Sequence, residues 1–197
     1  MKYLIQLRGS NASGKSTAVR QFCQKFELKP AEVRVGGKCT SIMTNGIYTV
    51  VGKYKPYSSG EGCDAHVDDA AHLRATIFEL LRSRKYDIVV FEGLIYSFTY
   101  KFATDVDRIA KLCGYKYKPA LLRLPYDERL RRLFERNGGN TDISLRTLDQ
   151  KLKSGEVSAK KIREAGIPLT YIDVSKIPVE DMWKIVFRIG MQDEQAH

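Results

Sequence analysis

The stretch Gly9-Ser10-Asn11-Ala12-Ser13-Gly14-Lys15-Ser16 places two glycines ahead of a lysine and a hydroxyl residue, close to the start of the sequence. Glycines let a backbone turn closely around an anion, so that its N–H groups surround a phosphate. A lysine at this position bridges phosphate oxygens, and the hydroxyl that follows is a suitable Mg²⁺ ligand. The stretch therefore predicts a phosphate-binding loop, or P-loop.

The residues on both sides of the loop match the context that a P-loop requires. Residues 2–7 form a short apolar run, which predicts a buried strand. Ala18, Phe22 and Phe26 recur at helical spacing after Lys15 and predict a helix. Strand, glycine-rich turn and helix in this order support the assignment of the motif.

Further along the chain, strand patterns alternate with helix patterns. The continuous apolar run at 88–91 is typical of a central parallel strand that is covered on both faces. The other predicted elements are helices at 67–84, 98–113, 126–136, 144–153 and 159–165, strands at 119–124 and 169–174, and a closing helix around 179–186. We therefore predict one three-layer α/β P-loop domain across residues 1–197, with a mainly parallel central sheet.

Residues 33–64 show a different pattern, which predicts an inserted β-hairpin and a substrate-binding region. Residues 40–44 and 47–51 are β-prone, and the Asn45-Gly46 between them suits a type I′ turn. Residues 55–64 are rich in glycine, serine and proline, and they predict a mobile loop that contacts the substrate.

The charge of the chain bears on its partners. A formal net charge of +10 is unusual for an enzyme whose only anionic ligand is a small nucleotide. Excess lysine and arginine attract nucleic acids through a salt-sensitive interaction, so DNA is an expected partner. A basic solvated surface around a triphosphate site accounts for the same charge, and composition alone does not separate the two interpretations.

Compartment signals favour the cytoplasm. No apolar run approaches the ~20 residues that span a bilayer, so no membrane partner is expected. A cleavable signal peptide is not expected either, because its removal would delete the predicted loop. The cysteines are scattered without a CxxC pair, so we expect reduced thiols and no zinc site. These residues are Cys23, Cys39, Cys63 and Cys113.

Two carboxylates are candidates for the chemistry beside the loop. Glu92 follows the predicted central strand, at the sheet edge where ligands collect, and it can bind Mg²⁺ or accept a proton. Asp64 lies between a glycine-bearing loop and a predicted helix, so it is either the competing base or the N-cap of that helix. A capping role is also open for Glu92. His66 and His72 are expected on the surface of that helix.

The segment 126–136 predicts a basic helix with arginines on one face. Arg129, Arg132 and Arg136 are spaced by three and then four residues and therefore share a face. Phosphoryl transfer needs cations at the migrating group, although a solvated basic face has the same pattern. Arg131 lies off this face by angle and stays a candidate. The side chains expected to pack on the opposite side are Leu130, Leu133 and Phe134.

The P-loop, the segment Phe91-Glu92-Gly93 and the segment LPYDERLRRLFERN at 124–137 together resemble the nucleoside/nucleotide kinase group of P-loop proteins. The resemblance covers nearly the whole chain in element order. It implies ATP and Mg²⁺ as cofactors, transfer of the γ-phosphate to a hydroxyl, and a helical lid over ATP at about 129–153. It also implies that Val174-Ser175-Lys176 lies near the adenine.

The motifs and this resemblance together define the predicted site. The predicted nucleotide-binding residues are Gly9, Ser10, Asn11, Ala12, Ser13, Gly14, Lys15, Ser16, Thr17, Arg129 and Arg132. The predicted catalytic residues are Lys15, Asp64, Glu92, Arg132 and Arg136, and the predicted Mg²⁺ ligands are Ser16 and Glu92. Members of the family differ in which carboxylate serves as base, so Asp64 and Glu92 both stay open.

A narrower similarity involves Gly52-Lys53-Tyr54, Gly62-Cys63-Asp64 and Phe91-Glu92-Gly93-Leu94. These segments look like parts of phage-encoded kinases that phosphorylate 5-hydroxymethyluracil in DNA. The similarity implies a DNA substrate, a role in phage DNA hypermodification and a location in the host cytoplasm. Tyr54 and Tyr57 would then stack on a base, although aromatic residues near a hairpin pack in the core at least as often.

Three functions remain open at this point. They are a DNA-directed kinase, a kinase of a free nucleoside, nucleotide or other small hydroxylated metabolite, and an ATP-hydrolysing switch protein that binds nucleic acid. A GTPase is excluded because neither a DxxG switch nor an NKxD guanine reader is present. A transporter-type ATPase is excluded because no LSGGQ-like sequence is present.

Overall fold

The computed structural model describes residues 1–54, 62–139 and 145–191. Its strands are β1 (Tyr3–Arg8), β2 (Lys29–Val35), β3 (Lys38–Thr44), β4 (Tyr48–Val51), β5 (Ile88–Glu92), β6 (Lys116–Arg123) and β7 (Thr170–Asp173). Its helices are α1 (Lys15–Lys25), α2 (Ala70–Arg82), α3 (Leu94–Ser97), α4 (Tyr100–Cys113), α5 (Tyr126–Arg136), α6 (Leu145–Glu164) and α7 (Trp183–Met191). Short 3₁₀ turns lie at Cys63–Ala65, Val174–Lys176 and Val179–Asp181.

Strand β1 is an interior strand of a seven-stranded sheet, whose order among the described residues is β2-β3-β4-β5-β1-β6-β7. It pairs in parallel with β5 on one side and with β6 on the other. Strands β4 and β7 continue the parallel pairing outward. In an open sheet of this kind, ligands bind beyond the carboxyl ends of the strands where the strand order reverses. The P-loop follows β1 at that place.

Alternate side chains of the central strands face two separate apolar layers. Leu4 of β1 and Phe91 of β5 join a cluster with residues of α2, α4 and α6. Ile5 of β1 and Val90 of β5 join a second cluster with residues of α1 and α7. The sheet is therefore covered on both faces, which confirms the predicted three-layer α/β fold with a mainly parallel sheet.

The predicted hairpin is present, but it belongs to a larger antiparallel insertion. Strand β3 pairs with β4 as expected, and β2 pairs with β3 along its length. The predicted type I′ turn is wrong, because that turn needs positive φ at both central residues and only Gly46 has one, at 89°. Asn45 instead accepts hydrogen bonds through Oδ1 from the N–H groups of Ile47 and Tyr48, at 3.0 and 2.8 Å. Residues 55–61 of the predicted substrate loop lie outside the described residues.

Helix α6 is a single helix of 20 residues where the sequence indicates two shorter helices. The expected interruption near 154–158 is wrong, because Gly155 and Ser158 within this stretch are buried against the core. A Cβ built on Gly155 would lie 3.6 Å from the ring of Phe98, and Ser158 and Ile162 are buried. Residues 140–144 of the predicted lid lie outside the described residues. In the part of the chain that the structure describes, no helix is both long and apolar enough to cross a membrane.

Candidate active site

The P-loop joins β1 to α1, and its glycines allow its shape. Gly9 has a φ of 146° and Gly14 a φ of 86°. A Cβ built on Gly9 would lie 2.6 Å from Oγ of Ser13, and one on Gly14 would lie 2.5 Å from Cε of Met182. Helix α1 begins at Lys15 with no side-chain cap from the described residues. The N–H groups of its first turn are therefore available to an anion.

Lys15 lies inside this loop with 7% of its surface exposed. Its Nζ donates hydrogen bonds to the carbonyl oxygens of Gly9 and Ser10, both at 3.0 Å. Burial lowers the pKa of Lys15, and the carboxylates of Glu92 and Asp64 oppose that shift. The ammonium group is therefore held at the loop, and two acids lie close enough to stabilise its charged form.

Glu92 ends β5 beside the P-loop and has 3% of its surface exposed. Its Oε1 accepts a hydrogen bond from the hydroxyl of Ser16 at 2.9 Å and another from the hydroxyl of Tyr54 at 3.2 Å. Burial raises the pKa of Glu92, and the charge of Lys15 gives the largest opposing effect. The predicted Mg²⁺ ligands Ser16 and Glu92 are thus adjacent, and they offer the hard oxygen atoms that Mg²⁺ prefers.

Asp64 lies in the 3₁₀ turn Cys63–Ala65 and packs against the backbone that follows β5. A Cβ built on Gly93 would lie 2.5 Å from Oδ1 of Asp64. Burial lowers the pKa of Lys15 and raises the pKa of Glu92; the charge of Asp64 opposes the first shift and adds to the second. The structure therefore brings the two candidate carboxylates together with the lysine of the P-loop.

The amino terminus of α2 differs from the prediction. Asp69 caps this helix, because its Oδ1 accepts a hydrogen bond from the N–H of His72 at 2.7 Å. The alternative in which Asp64 caps the helix is therefore wrong. His72, expected on the surface, is buried with its Nε2 2.9 Å from Oγ1 of Thr40. His66 lies ahead of α2 and is half-buried.

Three glycines bring the segments that carry these acids into close contact. A Cβ built on Gly52 would lie 2.9 Å from the carbonyl carbon of Gly62, and one on Gly62 would lie 2.7 Å from Oε1 of Glu92. A Cβ on Gly93 would likewise collide with Oδ1 of Asp64. The backbone segments after β4, before α2 and after β5 therefore stack without room for side chains at these positions.

We expect Gly62→Ala to destabilise the protein by about 2–4 kcal/mol, because the added Cβ adds a collision with Glu92 to the strain of its backbone conformation. Gly46→Ala is the matched control. Gly46 has a φ of 89° against 92° for Gly62, and nothing lies within 4 Å of its Cβ position. Its cost should be about 1 kcal/mol, from backbone strain alone. Urea unfolding measures both, and equal losses would contradict the close packing at Gly62.

Helix α5 presents arginines to the P-loop. Nη1 of Arg132 lies 4.0 Å from the Cβ position of Gly14. Arg129 and Arg136 are close enough for their charges to lower the pKa of Lys15. The three arginines that share a face by their spacing therefore lie near the loop.

The other side chains of α5 correct two details. Arg129 is buried rather than open to solvent: its Nη2 donates to the carbonyl oxygen of Leu124 at 3.0 Å, and its Nε has no hydrogen-bond partner among the described residues. Phe134 is 45% exposed, so its predicted packing role is wrong, whereas Leu133 is buried as expected. Arg131 is exposed and pairs with Glu128 and Glu135 of its own helix, and Nε of Arg132 shares Glu128 with it.

Arg8 is a site-supporting residue that the sequence patterns did not reveal. It directly precedes Gly9 and is 1% exposed. Its guanidinium donates hydrogen bonds to the carbonyl oxygens of Tyr96 and Ser97 and to Oγ of Ser158. Arg8 therefore ties the strand before the P-loop to α3 and α6. The available signal in the sequence is a charged residue at the end of a strand that is apolar apart from Gln6.

Tyr54 has a different role from the predicted stacking on a base. Its ring is 4% exposed and lies in the apolar cluster that contains residues of α1 and α7. Its hydroxyl donates to Glu92, so of the two interpretations left open for Tyr54, packing in the core is correct and stacking on a base is not. Tyr57 lies outside the described residues.

Comparison with known proteins identifies the fold. No protein-family model matches the sequence, and no curated protein sequence matches it significantly. The YorR protein of Bacillus subtilis, solved in complex with phosphorylated GDP, is similar over 98% of this chain and 99% of its own, with a TM-score of 0.58 and 15% identity. The tunicamycin resistance protein of Deinococcus radiodurans is similar over 98% of this chain and 96% of its own, with a TM-score of 0.50 and 16% identity. Identities at this level show a shared fold.

Proposed function

We propose that this chain is an ATP- and Mg²⁺-dependent kinase that transfers the γ-phosphate of ATP to a hydroxyl group. The observation that carries the proposal is the meeting of Lys15, Glu92 and Asp64 beside the P-loop: Glu92 accepts a hydrogen bond from Ser16 at 2.9 Å, Asp64 lies against Gly93, and the charges of both acids stabilise the Lys15 ammonium group. A phosphate cradle with a cation and an adjacent base is the set of parts that phosphoryl transfer uses. The phosphorylated GDP bound to YorR, which shares the fold, supports a nucleotide ligand.

Ser16 and Glu92 are the residues that would hold the cation. The oxygen atoms of their side chains are 2.9 Å apart, and both are hard donors, which fits Mg²⁺ better than a softer metal. When bound, Mg²⁺ neutralises charge on the β- and γ-phosphate oxygens.

In the proposed reaction, Asp64 accepts the proton of the acceptor hydroxyl while the oxygen of that hydroxyl bonds to the γ-phosphorus. The bond from this phosphorus to the β,γ-bridging oxygen breaks, and ADP leaves. Lys15 and the arginines of α5 stabilise the charge on the migrating group. We assign the base to Asp64 because Glu92 is assigned to the cation, and its Oε1 in addition accepts hydrogen bonds from Ser16 and Tyr54.

For the acceptor, we propose the hydroxymethyl group of 5-hydroxymethyluracil in DNA. The three segments that look like phage DNA kinases contact one another through Gly52, Gly62 and Gly93, next to Asp64. The net charge of +10 also favours a polyanionic substrate. A free nucleoside, nucleotide or other small hydroxylated metabolite is the alternative acceptor. A switch protein that only hydrolyses ATP is the third function.

Transfer of label from γ-³²P-ATP separates these functions. The protein is incubated with Mg²⁺ and labelled ATP in three reactions, which contain DNA with 5-hydroxymethyluracil, unmodified DNA of the same sequence, or a mixture of free nucleosides and nucleotides. Label in the hydroxymethylated DNA alone supports the proposed acceptor, whereas label in a small molecule supports the alternative. Release of inorganic phosphate alone in all three reactions would contradict a kinase.

We expect Arg132→Ala to lower turnover by about 10²-fold, because the guanidinium group that it removes lies next to the P-loop, where it would stabilise the migrating group. Arg131→Ala is the matched control on the same helix, since Arg131 pairs with Glu128 at 2.7 Å and with Glu135 at 2.5 Å. Its turnover should stay within about two-fold of the wild type, as for other exposed ion pairs. Steady-state kinetics measure both variants. A similar loss in the two would mean that overall charge, not position, matters.

A further inference from the structure

Two hydroxyl groups from different elements converge on one oxygen of Glu92. Ser16 of α1 and Tyr54, which follows β4, both donate to Oε1, at 2.9 and 3.2 Å. The ring of Tyr54 is buried in the apolar core. The tyrosine hydroxyl is therefore anchored from the core side, independently of the P-loop.

The direction of these hydrogen bonds limits what each oxygen atom can still bind. An ionised carboxylate only accepts hydrogen bonds, so both hydroxyls must be donors. Because the hydrogen of Ser16 is directed to Glu92, the lone pairs of its Oγ remain for a cation. A second donor on the same carboxylate oxygen restrains rotation of the Glu92 side chain, as outer hydrogen bonds do around metal ligands.

We propose that Tyr54 is a positioning residue for the cation: its hydroxyl holds Glu92 in the orientation in which the carboxylate accepts the hydrogen of Ser16, so that the lone pairs of Ser16 would be left for Mg²⁺. The inference rests on the proposed function, in which Ser16 and Glu92 hold this cation. It gives Tyr54 a role at the metal rather than at the acceptor. The close approach of Gly62 to the same Oε1 leaves the carboxylate little room for another orientation.

Tyr54→Phe tests this role, since it removes the hydroxyl and keeps the ring in the core. Mn²⁺ affinity, measured by electron paramagnetic resonance in the presence of a non-hydrolysable ATP analogue, should fall about 10-fold or more. The affinity for the analogue in EDTA should be unchanged. The Mg²⁺ concentration that gives half-maximal turnover should rise, and turnover at saturating Mg²⁺ should change less.

Tyr48→Phe is the matched control, because Tyr48 packs on the same apolar cluster against Phe22 and Phe26. Its Mn²⁺ affinity should equal that of the wild type. Unchanged Mn²⁺ affinity in Tyr54→Phe, or an equal loss in both variants, would overturn the inference and leave the kinase proposal standing. Failure of the wild type to bind the analogue would overturn the proposed function itself. Thermal unfolding without ligand checks the fold of both variants.

Discussion

Lys15→Ala is expected to lower phosphoryl transfer by at least about 10³-fold while the unliganded protein stays folded. The lysine supplies the ammonium group of the P-loop, and its Nζ bonds to the carbonyl oxygens of Gly9 and Ser10. Burial lowers the pKa of Lys15, which means that the charged ammonium group is less favourable in the folded protein than in water. Removing the charge should therefore not destabilise the apo form. Transfer of ³²P and thermal unfolding measure the two effects.

Lys25→Ala is the matched control, because Lys25 ends the same helix and its Nζ lies 5.3 Å from the centre of the Trp183 ring, away from the loop. This variant should retain full transfer. If Lys15→Ala also retained transfer, the stretch from Gly9 to Ser16 would not be the phosphate-binding loop.

Asp64→Asn is expected to lower turnover by at least about 10²-fold, because the amide cannot accept the proton of the acceptor hydroxyl. The substitution preserves shape next to Gly93, where space is tight. Affinity for the Mg²⁺–nucleotide complex should change little, since Ser16 and Glu92 are unaltered. Single-turnover kinetics and nucleotide titration measure the two properties separately.

Asp68→Asn provides the control for Asp64→Asn. Asp68 lies four residues further along and forms an exposed ion pair with Lys38 at 2.6 Å, so its loss should leave turnover nearly unchanged. Glu92→Gln is the third variant, and we expect it to need a higher Mg²⁺ concentration for half-maximal turnover. Near-normal turnover in Asp64→Asn, combined with abolished turnover in Glu92→Gln at saturating Mg²⁺, would transfer the base role to Glu92.

Local patterns predicted the elements whose faces are uniformly buried or strongly amphipathic. Strand β1 and the P-loop follow from the apolar run and the spacing of Gly9, Gly14 and Lys15. Strand β2 was missed because it is an outer strand whose alternation is masked by Pro30 and by charged residues. The sequence indicates two helices in place of α6 because Gly155 and its neighbours have low helix propensity. In the structure, packing against Phe98 and the core overrides that propensity.

The parts of the candidate site that depend on the spacing of residues along the sequence could be predicted. The contacts that depend on which strands are neighbours in the sheet could not. Ser16 and Glu92 can be placed together from sequence, because Ser16 ends the P-loop after β1 and Glu92 ends β5, and both strands are predicted to be buried and parallel. The bond from Tyr54 to Glu92 joins residues 38 positions apart and exists because β4 lies beside β5. The cap of α2 likewise could not be assigned from sequence, because Asp64 and Asp69 carry the same capping side chain.

Isothermal titration calorimetry with Mg²⁺ and a non-hydrolysable ATP analogue tests the central claim most directly. The wild type should give a saturable binding heat and a rise in thermal unfolding temperature, and Lys15→Ala should lose both. Absence of heat and of thermal protection in the wild type, with saturating Mg²⁺ and each common nucleoside triphosphate, would contradict the account.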